Sequence, residues 1–199
     1  MERYKVMETF YSIQGEGYHT GKSAFFIRLA GCDIGCSWCD VKESWGVENA
    51  TKKSVDELVA EAVLHKAKRV IITGGEPAMY NLEALTKALQ QVGIQTHLET
   101  SGVYKITGKW DWVCISPKKF KKPLDTEMVK ADELKIVVVN KSDFSWAKEQ
   151  SATVKASCKL FLQPEWDKST KVMESINEYV KEFPIWRISL QTHKYMNIR

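Results

Sequence analysis

The chain has 199 residues, of which 44% are hydrophobic and 27% are charged, a balance that excludes an intrinsically disordered or collagen-like protein. Its longest apolar runs, such as Ile136–Val139, are far shorter than the roughly 20 residues that a membrane-spanning helix needs, and its start has no signal-peptide core. The net charge of +4 is too weak to indicate nucleic-acid binding. We therefore expect a cytoplasmic protein, folded as one domain over residues 1–199, that binds neither membranes nor nucleic acid.

Four segments in the first half of the chain are predicted to be strands, namely Arg3–Tyr11, Ala24–Leu29, Arg69–Thr73 and Ile94–Leu98, and Arg69–Thr73 has the apolar, β-branched composition of a buried strand. Two helices are predicted between them. Ser54 and Glu57 have the spacing of a capping box, and we expect the helix that they start to extend to about Lys68. Asn81 can cap the second helix, which Gly93 ends.

The second half continues the alternation, with predicted strands at Trp112–Ile115, Leu134–Val139, Leu160–Leu162 and Trp186–Leu190 and predicted helices at Ser142–Gln150 and Ser169–Phe183. Apolar strands that alternate with helices are typical of a largely parallel α/β sheet, whose ligands bind at the carboxyl ends of the strands. Polar signatures follow four of the predicted strands, at Gly74–Pro77, Glu99–Gly102, Ser116–Lys118 and Gln163–Glu165. We therefore expect one site assembled from several loops.

Three of the five cysteines are crowded into one glycine-containing loop, with the spacing Cys32-x3-Cys36-x2-Cys39. Such a group in a reducing cytosol argues against disulfides and for a metal site. Three thiolates can bind three irons of a cubane cluster and leave the fourth iron open for chemistry. A structural zinc site is the alternative, and it needs a fourth ligand from Asp33, His19, Cys114 or Cys158. Otherwise we expect Cys114 and Cys158 to be buried core thiols.

The spacing C-x3-C-x-aromatic-C, with Trp38 before the third cysteine, resembles the cluster-binding signature of the radical S-adenosylmethionine (SAM) superfamily. The loop Gly74–Pro77, which reads Gly-Gly-Glu-Pro, resembles the second motif of that superfamily, which binds the methionyl amino group of SAM. The resemblance implies a 4Fe-4S cluster on Cys32, Cys36 and Cys39, with SAM chelating the open iron.

From about residue 8 to the C-terminus, the chain resembles the 7-carboxy-7-deazaguanine synthase family in a series of blocks: Tyr11–Gly17, Phe26–Cys32, Cys36–Asp40, Thr73–Pro77, Glu99–Gly102, Ser116–Lys118, Asp132–Lys135, Leu162–Pro164 and Gln191–Lys194. The resemblance implies a lyase of queuosine and 7-deazapurine biosynthesis, which converts 6-carboxy-5,6,7,8-tetrahydropterin to 7-carboxy-7-deazaguanine with ammonia release. It also implies that a 5′-deoxyadenosyl radical starts the reaction and that SAM is regenerated. The alternatives are another radical-SAM enzyme, such as a glycyl-radical activase, and a non-enzymatic iron–sulfur protein.

The resemblance also implies which residues bind SAM and substrate. For SAM it points to Trp38, Cys39, Asp40, Gly75, Ser116, Pro117, Lys118, Gln163, Pro164, Glu165 and Trp166, with Thr100 and Ser101 as ribose contacts unless their hydroxyls shape a turn. For the substrate it points to Ile13, Gln14, Gly15, Glu16, Arg28, Thr73 and His193. Arg28 offers a bidentate fork for the substrate carboxylate, and Glu16 can accept hydrogen bonds from the aminopyrimidine edge. The competing interpretations are a surface ion pair for Arg28, a turn cap for Glu16 and a structural role for His193.

The resemblance further implies a truncated, partly open (β/α) barrel of about six mainly parallel strands. The length agrees, because a complete eight-stranded barrel of this kind needs about 250 residues. The exposed sheet edges of an open barrel favour a homodimer, which the family forms. The implied partners are a small pterin substrate and an electron donor such as flavodoxin or ferredoxin.

One position departs from the family pattern. The residue two after the third cysteine is usually a threonine whose hydroxyl binds Mg²⁺, and here it is Val41. Valine has no oxygen to offer to a hard cation. The ion is then bound by Asp40 or Ser44, bound through waters, or dispensed with. We expect weaker magnesium dependence than in threonine-bearing relatives.

Overall fold

A computed structural model describes residues 2–199, so that only Met1 of the predicted domain lies outside the described residues, and its strands form one nine-stranded sheet. The strands are β1 (Arg3–Ile13), β2 (Ser23–Leu29), β3 (Thr51–Ser54), β4 (Arg69–Gly74), β5 (Gln95–Thr100), β6 (Trp112–Ile115), β7 (Glu133–Val138), β8 (Lys159–Pro164) and β9 (Trp186–Ile188). The helices are α1 (Val55–Leu64), α2 (Glu83–Gln91), α3 (Asp125–Met128), α4 (Asp143–Ser151), α5 (Ser169–Glu182) and α6 (Thr192–Tyr195). Single 3-10 turns lie at Gly17–His19, Lys42–Ser44, Pro77–Met79 and Trp166–Lys168. Within residues 2–199, none of the helices has the length and apolar character that crossing a membrane requires.

The strand order is β3-β1-β2-β4-β5-β6-β7-β8-β9. β2 and β4 to β9, seven strands, pair in parallel, whereas β1 and β3 are antiparallel to their neighbours. The edge strands β3 and β9 do not pair with each other in the part of the chain that the structure describes, so the sheet is not closed. The predicted partly open, mainly parallel barrel is confirmed, with more strands than the six expected.

The chain after β9 contacts the loop that follows β1 and so ties the two ends of the fold together. The backbone N–H of Gly17 donates to Ser189 Oγ at 2.9 Å. The backbone N–H of Thr192 donates to the carbonyl of Gly15 at 2.9 Å. These contacts place the last residues of the chain beside the carboxyl ends of the parallel strands.

Alternate side chains of the strands enter two different cores. Val70 and Ile72 of β4 belong to the main core between the sheet and the helices, which also contains Leu58 of α1. Ile71 points to the other side of the sheet, where it packs with Phe26. This alternation follows from the two-residue repeat of a strand, and it gives the barrel an inner face separate from its helix-covered outer face.

Aromatic residues fill the amino-terminal end of the inner face. The ring of Tyr18 stacks on Trp112 with the centroids 5.0 Å apart, and the ring of His19 lies 4.6 Å from His97. Burial lowers the pKa of His19 to about 4 and that of His97 to about 3, so both imidazoles pack as neutral rings near pH 7. This aromatic plug of Tyr18, His19, His97 and Trp112 leaves the carboxyl ends of the strands as the open end of the barrel.

The predicted start of α1 is confirmed, whereas its end differs. Ser54 Oγ accepts from the N–H of Glu57, whose carboxylate accepts from the N–H of Ser54 at 2.6 Å. The helix ends at Leu64 and not near Lys68, because Lys66 adopts the left-handed conformation with φ of 51°. The N–H of Ala67 then donates back to the carbonyl of Ala62, as in a Schellman motif.

Sequence analysis missed β3, because its residues Thr-Lys-Lys-Ser have no apolar pattern. The strand pairs with β1 at the edge of the sheet, where short charged strands resist further pairing. The helix predicted after Asn81 is confirmed as α2, but its N-cap residue is Leu82, and the Asn81 side chain one residue earlier accepts from the N–H of Glu83 at 3.0 Å.

Replacing the α1 cap tests this local account. We expect Ser54→Ala to lower the free energy of unfolding by about 1 kcal/mol, because the N–H of Glu57 loses its acceptor. Urea denaturation followed by circular dichroism measures the change. Ser145→Ala, at an exposed site within α4, is the control and should change stability by less than about 0.5 kcal/mol. Equal effects of the two substitutions would contradict the capping role.

Candidate active site

A cavity of about 660 Å³ opens at the carboxyl ends of the parallel strands. Inward-facing polar residues of five strands line it, namely Arg28, Thr73, Glu99, Lys135 and Gln163. Every residue predicted for the cluster, SAM or the substrate also lines it except Pro117, which is buried beside Ser116. The structure therefore brings the predicted site residues into one cavity.

The cysteine loop that follows β2 forms one wall of this cavity, and Cys32, Cys36 and Cys39 all line it as free thiols. The backbone N–H of Gly31 donates to the carbonyl of Ser44 at 2.7 Å and so holds the start of the loop. Burial raises the pKa of the Cys32 and Cys36 thiols. Three thiols on one wall fit the three cysteine-bound irons of a 4Fe-4S cluster.

The residues considered as a fourth zinc ligand have other partners or lie in the core. His19 belongs to the aromatic plug, and Asp33 is paired with Lys121 at 2.7 Å. Cys114 and Cys158 are buried, which confirms the prediction that they are core thiols. Across residues 2–199, no three His, Cys, Asp or Glu side chains, the three cysteines of the loop included, are grouped closely enough to hold a single metal ion.

Two glycines let the Gly-Gly-Glu-Pro loop pass directly against the cysteine loop. A Cβ atom on Gly74 would lie 2.2 Å from the carbonyl oxygen of Leu29, and one on Gly75 would lie 2.2 Å from that of Gly31. The next N–H, of Glu76, donates to the same Gly31 carbonyl at 2.9 Å. Any larger side chain at either glycine would separate the two loops.

The carboxylate of Glu76 is buried and organises the end of β5. It accepts hydrogen bonds from the N–H groups of Ala78 at 3.0 Å and of Ser101 at 2.8 Å. The hydroxyls of Thr100 and Ser101 donate to it as well. These contacts support the turn-shaping interpretation of the two hydroxyls, and their predicted contact with ribose could use only the oxygen lone pairs.

The side of the cavity that carries Glu16 contains a buried network of charges. Lys135 Nζ lies 2.6 Å from Glu16 Oε2 and 3.0 Å from Glu99 Oε2. The side-chain amide of Gln191 donates to Glu16 Oε1 at 2.9 Å, and that of Gln14 donates to Glu99 at 3.2 Å. Burial alone would raise the pKa of Glu16, but the Lys135 charge and these hydrogen bonds outweigh burial and lower the pKa to about 2.

Arg28 extends from β2 into the same cavity. Its Nε donates to Glu8 at 2.9 Å, and the other oxygen of Glu8 lies 3.2 Å from Arg199. The guanidinium carbon of Arg28 is 5.9 Å from the centre of the Phe10 ring. The ion pair considered as the alternative for Arg28 is therefore present, but it lies within the cavity.

The C-terminal segment joins this wall to the cysteine loop. His193 lies so close to Gly15 that a Cβ on that glycine would be 2.1 Å from Nδ1 of the imidazole. Burial lowers the pKa of His193, which favours the neutral ring. Gln191 donates to Asp40 at 3.0 Å, and Lys194 lies 3.4 Å from the same carboxylate. The segment thus contacts both the residues predicted for substrate and those predicted for SAM.

Cations lie over the aromatic rings on the predicted SAM side. Lys118 Nζ is 5.0 Å from the centre of the Trp38 ring and donates to Ser116 Oγ at 2.7 Å. Burial lowers the pKa of Lys118. Lys194 Nζ is 4.7 Å from the ring centre of Trp166. Indole rings paired with cations are pre-ordered surfaces against which an adenine or a sulfonium can pack.

Val41 lines the cavity, and its two suggested replacements as a magnesium ligand differ: Ser44 is committed to a backbone carbonyl, whereas Asp40 has contacts through only one carboxylate oxygen. The hydroxyl of Ser44 is fully buried and donates to the carbonyl of Val41 at 2.6 Å. Asp40 accepts from Gln191 through Oδ2.

No individual role was predicted for Lys135, Glu99, Gln191 or Glu8, although all four line the cavity. A signal for two of them was available. Lys135 directly precedes the apolar run Ile136–Val138 of β7, and a charged residue in such a strand indicates an inward-facing group with a partner. Glu99 belongs to the polar signature Glu99–Gly102 that was expected to contribute to the site.

Comparisons with known proteins agree with this geometry. Residues 26–113 match the model of the Radical SAM superfamily. The chain is 50% identical to 7-carboxy-7-deazaguanine synthase from Flavobacterium psychrophilum, over 99% of this chain and 93% of that protein. The proteins of the same name from Synechocystis and Escherichia coli K12 are 46% and 33% identical, over 98% of this chain and 94% and 99% of theirs. The crystal structure of QueE from Escherichia coli superposes with a TM-score of 0.85, covers 94% of this chain and 93% of that one, and is 31% identical.

An open parallel barrel with a three-cysteine loop at the carboxyl ends of its strands defines a radical-SAM enzyme, for which a 4Fe-4S cluster and SAM are the implied cofactors. Together with these identities over nearly the whole length, it shows that the chain belongs to the 7-carboxy-7-deazaguanine synthase family.

The buried Glu76 carboxylate provides a test of how the site is built. We expect Glu76→Gln to lower the free energy of unfolding by about 1–3 kcal/mol, because the amide nitrogen cannot accept the hydrogen bonds that one carboxylate oxygen accepts. Urea denaturation of the anaerobically reconstituted protein measures this change. Glu174→Gln, at an exposed site in α5, is the matched control, expected within about 0.5 kcal/mol of the wild type. A Glu76 variant as stable as the control would contradict the proposed organisation of β5.

Proposed function

We propose that this protein is a radical-SAM lyase that converts 6-carboxy-5,6,7,8-tetrahydropterin to 7-carboxy-7-deazaguanine with ammonia release, in queuosine and 7-deazapurine biosynthesis. One observation supports the proposal independently of family membership. The three cysteines and the pair Arg28 and Glu16 line the same cavity, so a cluster-bound cofactor and a carboxylated pterin can meet within it.

Cys32, Cys36 and Cys39 would hold the cluster, and the walls formed by Trp38, Lys118 and the Gln163–Trp166 stretch would hold SAM. When bound, the cluster and SAM would supply the radical chemistry that acts on the substrate. The chain itself positions the reacting groups and keeps water away from them.

The substrate-binding roles follow from charge. Glu8 accepts a hydrogen bond from Nε of Arg28. The two terminal nitrogens of the guanidinium then make a bidentate contact with the substrate carboxylate. Glu16 is ionised and accepts N–H groups of the aminopyrimidine edge. His193 packs against Gly15 at the rim and contacts the ring from the C-terminal side.

The proposal includes the environment in which the enzyme works. It acts in the cytoplasm on a small molecule and receives electrons from a protein such as flavodoxin or ferredoxin. The unpaired edges of the open sheet favour a homodimer.

An anaerobic assay tests this function. Reconstituted, reduced protein is mixed with SAM and 6-carboxytetrahydropterin, and we expect the deazapurine chromophore to form. We expect Cys36→Ala to prevent assembly of the cluster, measured by iron content and visible absorption. Arg28→Ala should keep the cluster but lose substrate binding, because the guanidinium that Glu8 holds in the cavity is removed. Arg187→Ala, at an exposed site outside the cavity, is the control for Arg28→Ala.

The outcomes separate the alternatives. Deoxyadenosine without a deazapurine would indicate another radical-SAM enzyme, and a protein that binds no iron would indicate zinc. An Arg28→Ala enzyme with normal substrate affinity would refute the carboxylate contact.

We further propose that this protein depends less on Mg²⁺ than threonine-bearing relatives do, because Val41 offers no oxygen and the Ser44 hydroxyl donates to a backbone carbonyl, which leaves Asp40 as the replacement ligand. Turnover is measured while Mg²⁺ is titrated and then removed with EDTA. We expect part of the activity to survive chelation, and we expect Val41→Thr to increase the stimulation by Mg²⁺. Complete loss of activity on chelation, restored only by Mg²⁺, would contradict the proposal.

A further inference from the structure

Lys135 is a charged group at the centre of the cavity that has no part in the functions described above. Its side chain is only 7% exposed, and it extends from the middle of β7 toward the inner face. Burial of an ammonium is unfavourable unless opposite charges compensate for it. Glu16 and Glu99 supply that compensation at 2.6 and 3.0 Å and hold the pKa of Lys135 well above its usual value, so it remains charged.

Glu16 depends on this lysine in turn. Lys135 occupies Oε2 of the carboxylate and Gln191 occupies Oε1, so both oxygens are held in place from opposite sides. The ionisable groups that face Glu16 are Lys135 from β7 and His193 from the C-terminal segment. Of these, Lys135 is the one that carries a full positive charge at neutral pH, because burial keeps His193 neutral.

The balance of charge on this wall also bears on the direction in which a substrate binds. Two carboxylates and one ammonium leave Glu16, Glu99 and Lys135 with a net charge of −1. Such a wall attracts the N–H donors of an aminopyrimidine and repels a carboxylate. Arg28 lies elsewhere in the same cavity and attracts the carboxylate.

We propose that Lys135 is a positioning residue for substrate recognition: its ammonium holds the Glu16 carboxylate ionised and oriented, so that Glu16 can accept hydrogen bonds from the donor edge of the pterin. The inference rests on the proposed function. Lys135 acts through Glu16 and need not touch the substrate itself.

The expected effect of removing the ammonium has a definite sign. In the wild-type protein Glu16 has a pKa of about 2 and is ionised between pH 5 and 8. Its titration therefore does not make the affinity for substrate fall as the pH is lowered over this range. In Lys135→Met the burial of Glu16 is no longer compensated, and its pKa rises. A protonated Glu16 presents a donor to the donor edge of the substrate. Binding to this variant should therefore strengthen as the pH rises between about pH 5 and 8.

The experiment measures the Kd of 6-carboxytetrahydropterin by anaerobic calorimetry, with the oxidised cluster and SAM in place so that no turnover occurs. We expect Lys135→Met to weaken binding by about 10- to 100-fold at neutral pH, which corresponds to losing one contact to a charged group. Lys135→Arg keeps the charge and should recover much of the affinity. Lys53→Met is the control, since Lys53 also forms an ion pair with a glutamate, Glu61 at 2.5 Å, but lies outside the cavity.

A double substitution tests whether Lys135 acts through Glu16. In a Glu16→Gln background, adding Lys135→Met should change the Kd by less than about twofold, because the carboxylate through which Lys135 acts is absent, while the Glu99 carboxylate is present in both proteins. Circular dichroism checks that each variant is folded. If Lys135→Met folds poorly, the substrate affinities of Lys135→Arg and of the double variant test the role of Lys135.

The inference would be overturned by a Lys135→Met protein that binds the substrate with wild-type affinity at every pH between about 5 and 8. It would also be overturned if Lys135→Met weakened substrate binding equally with Glu16 and with Gln at position 16. A wild-type protein that forms no deazapurine in the assay above would instead refute the proposed function. The two failures are therefore distinguishable.

Discussion

The two-residue repeat of the parallel strands is the constraint on which this structure depends. Each strand must place alternate side chains inside the barrel, where helices cannot cover them. The chain fills the amino-terminal half of that space with the aromatic plug and the carboxyl-terminal half with polar groups, among them Thr73 and Gln163. The cavity exists because these polar side chains do not fill the carboxyl-terminal half of the barrel. It opens at the end where the loops of a parallel sheet converge. Fold and site therefore follow from the same repeat.

Electrostatics divides this single cavity into regions with different chemistry. The cysteine loop lies against the glycines of the Gly-Gly-Glu-Pro loop, and cations over Trp38 and Trp166 lie nearby. Across the cavity, charged groups are buried in compensated sets, since an isolated charge would be too unfavourable to bury. The C-terminal segment connects the two regions through Gln191, which contacts both Glu16 and Asp40.

Much of the fold was predictable because its signals are local. The apolar strand Arg69–Thr73 and the Ser54 cap are each encoded within a few residues, and so is the cysteine spacing. The polar edge strand β3 was not predictable, because its only partner is β1, nearly fifty residues earlier in the chain. Pairs such as Glu16 with Lys135, 119 residues apart, depend on strand order and register, which a single sequence does not reveal. The end of α1 was misplaced because Lys66 takes a conformation that glycine usually adopts.

The central claim is that one cavity binds SAM and a carboxylated pterin side by side, in a direction set by charge. A crystal structure of the anaerobic protein with cluster, SAM and 6-carboxytetrahydropterin tests this claim most directly. The account predicts the pterin carboxylate within hydrogen-bond distance of the Arg28 guanidinium and the aminopyrimidine edge against Glu16. A pterin bound outside the cavity, or bound in reverse with its carboxylate toward Glu16, would contradict it.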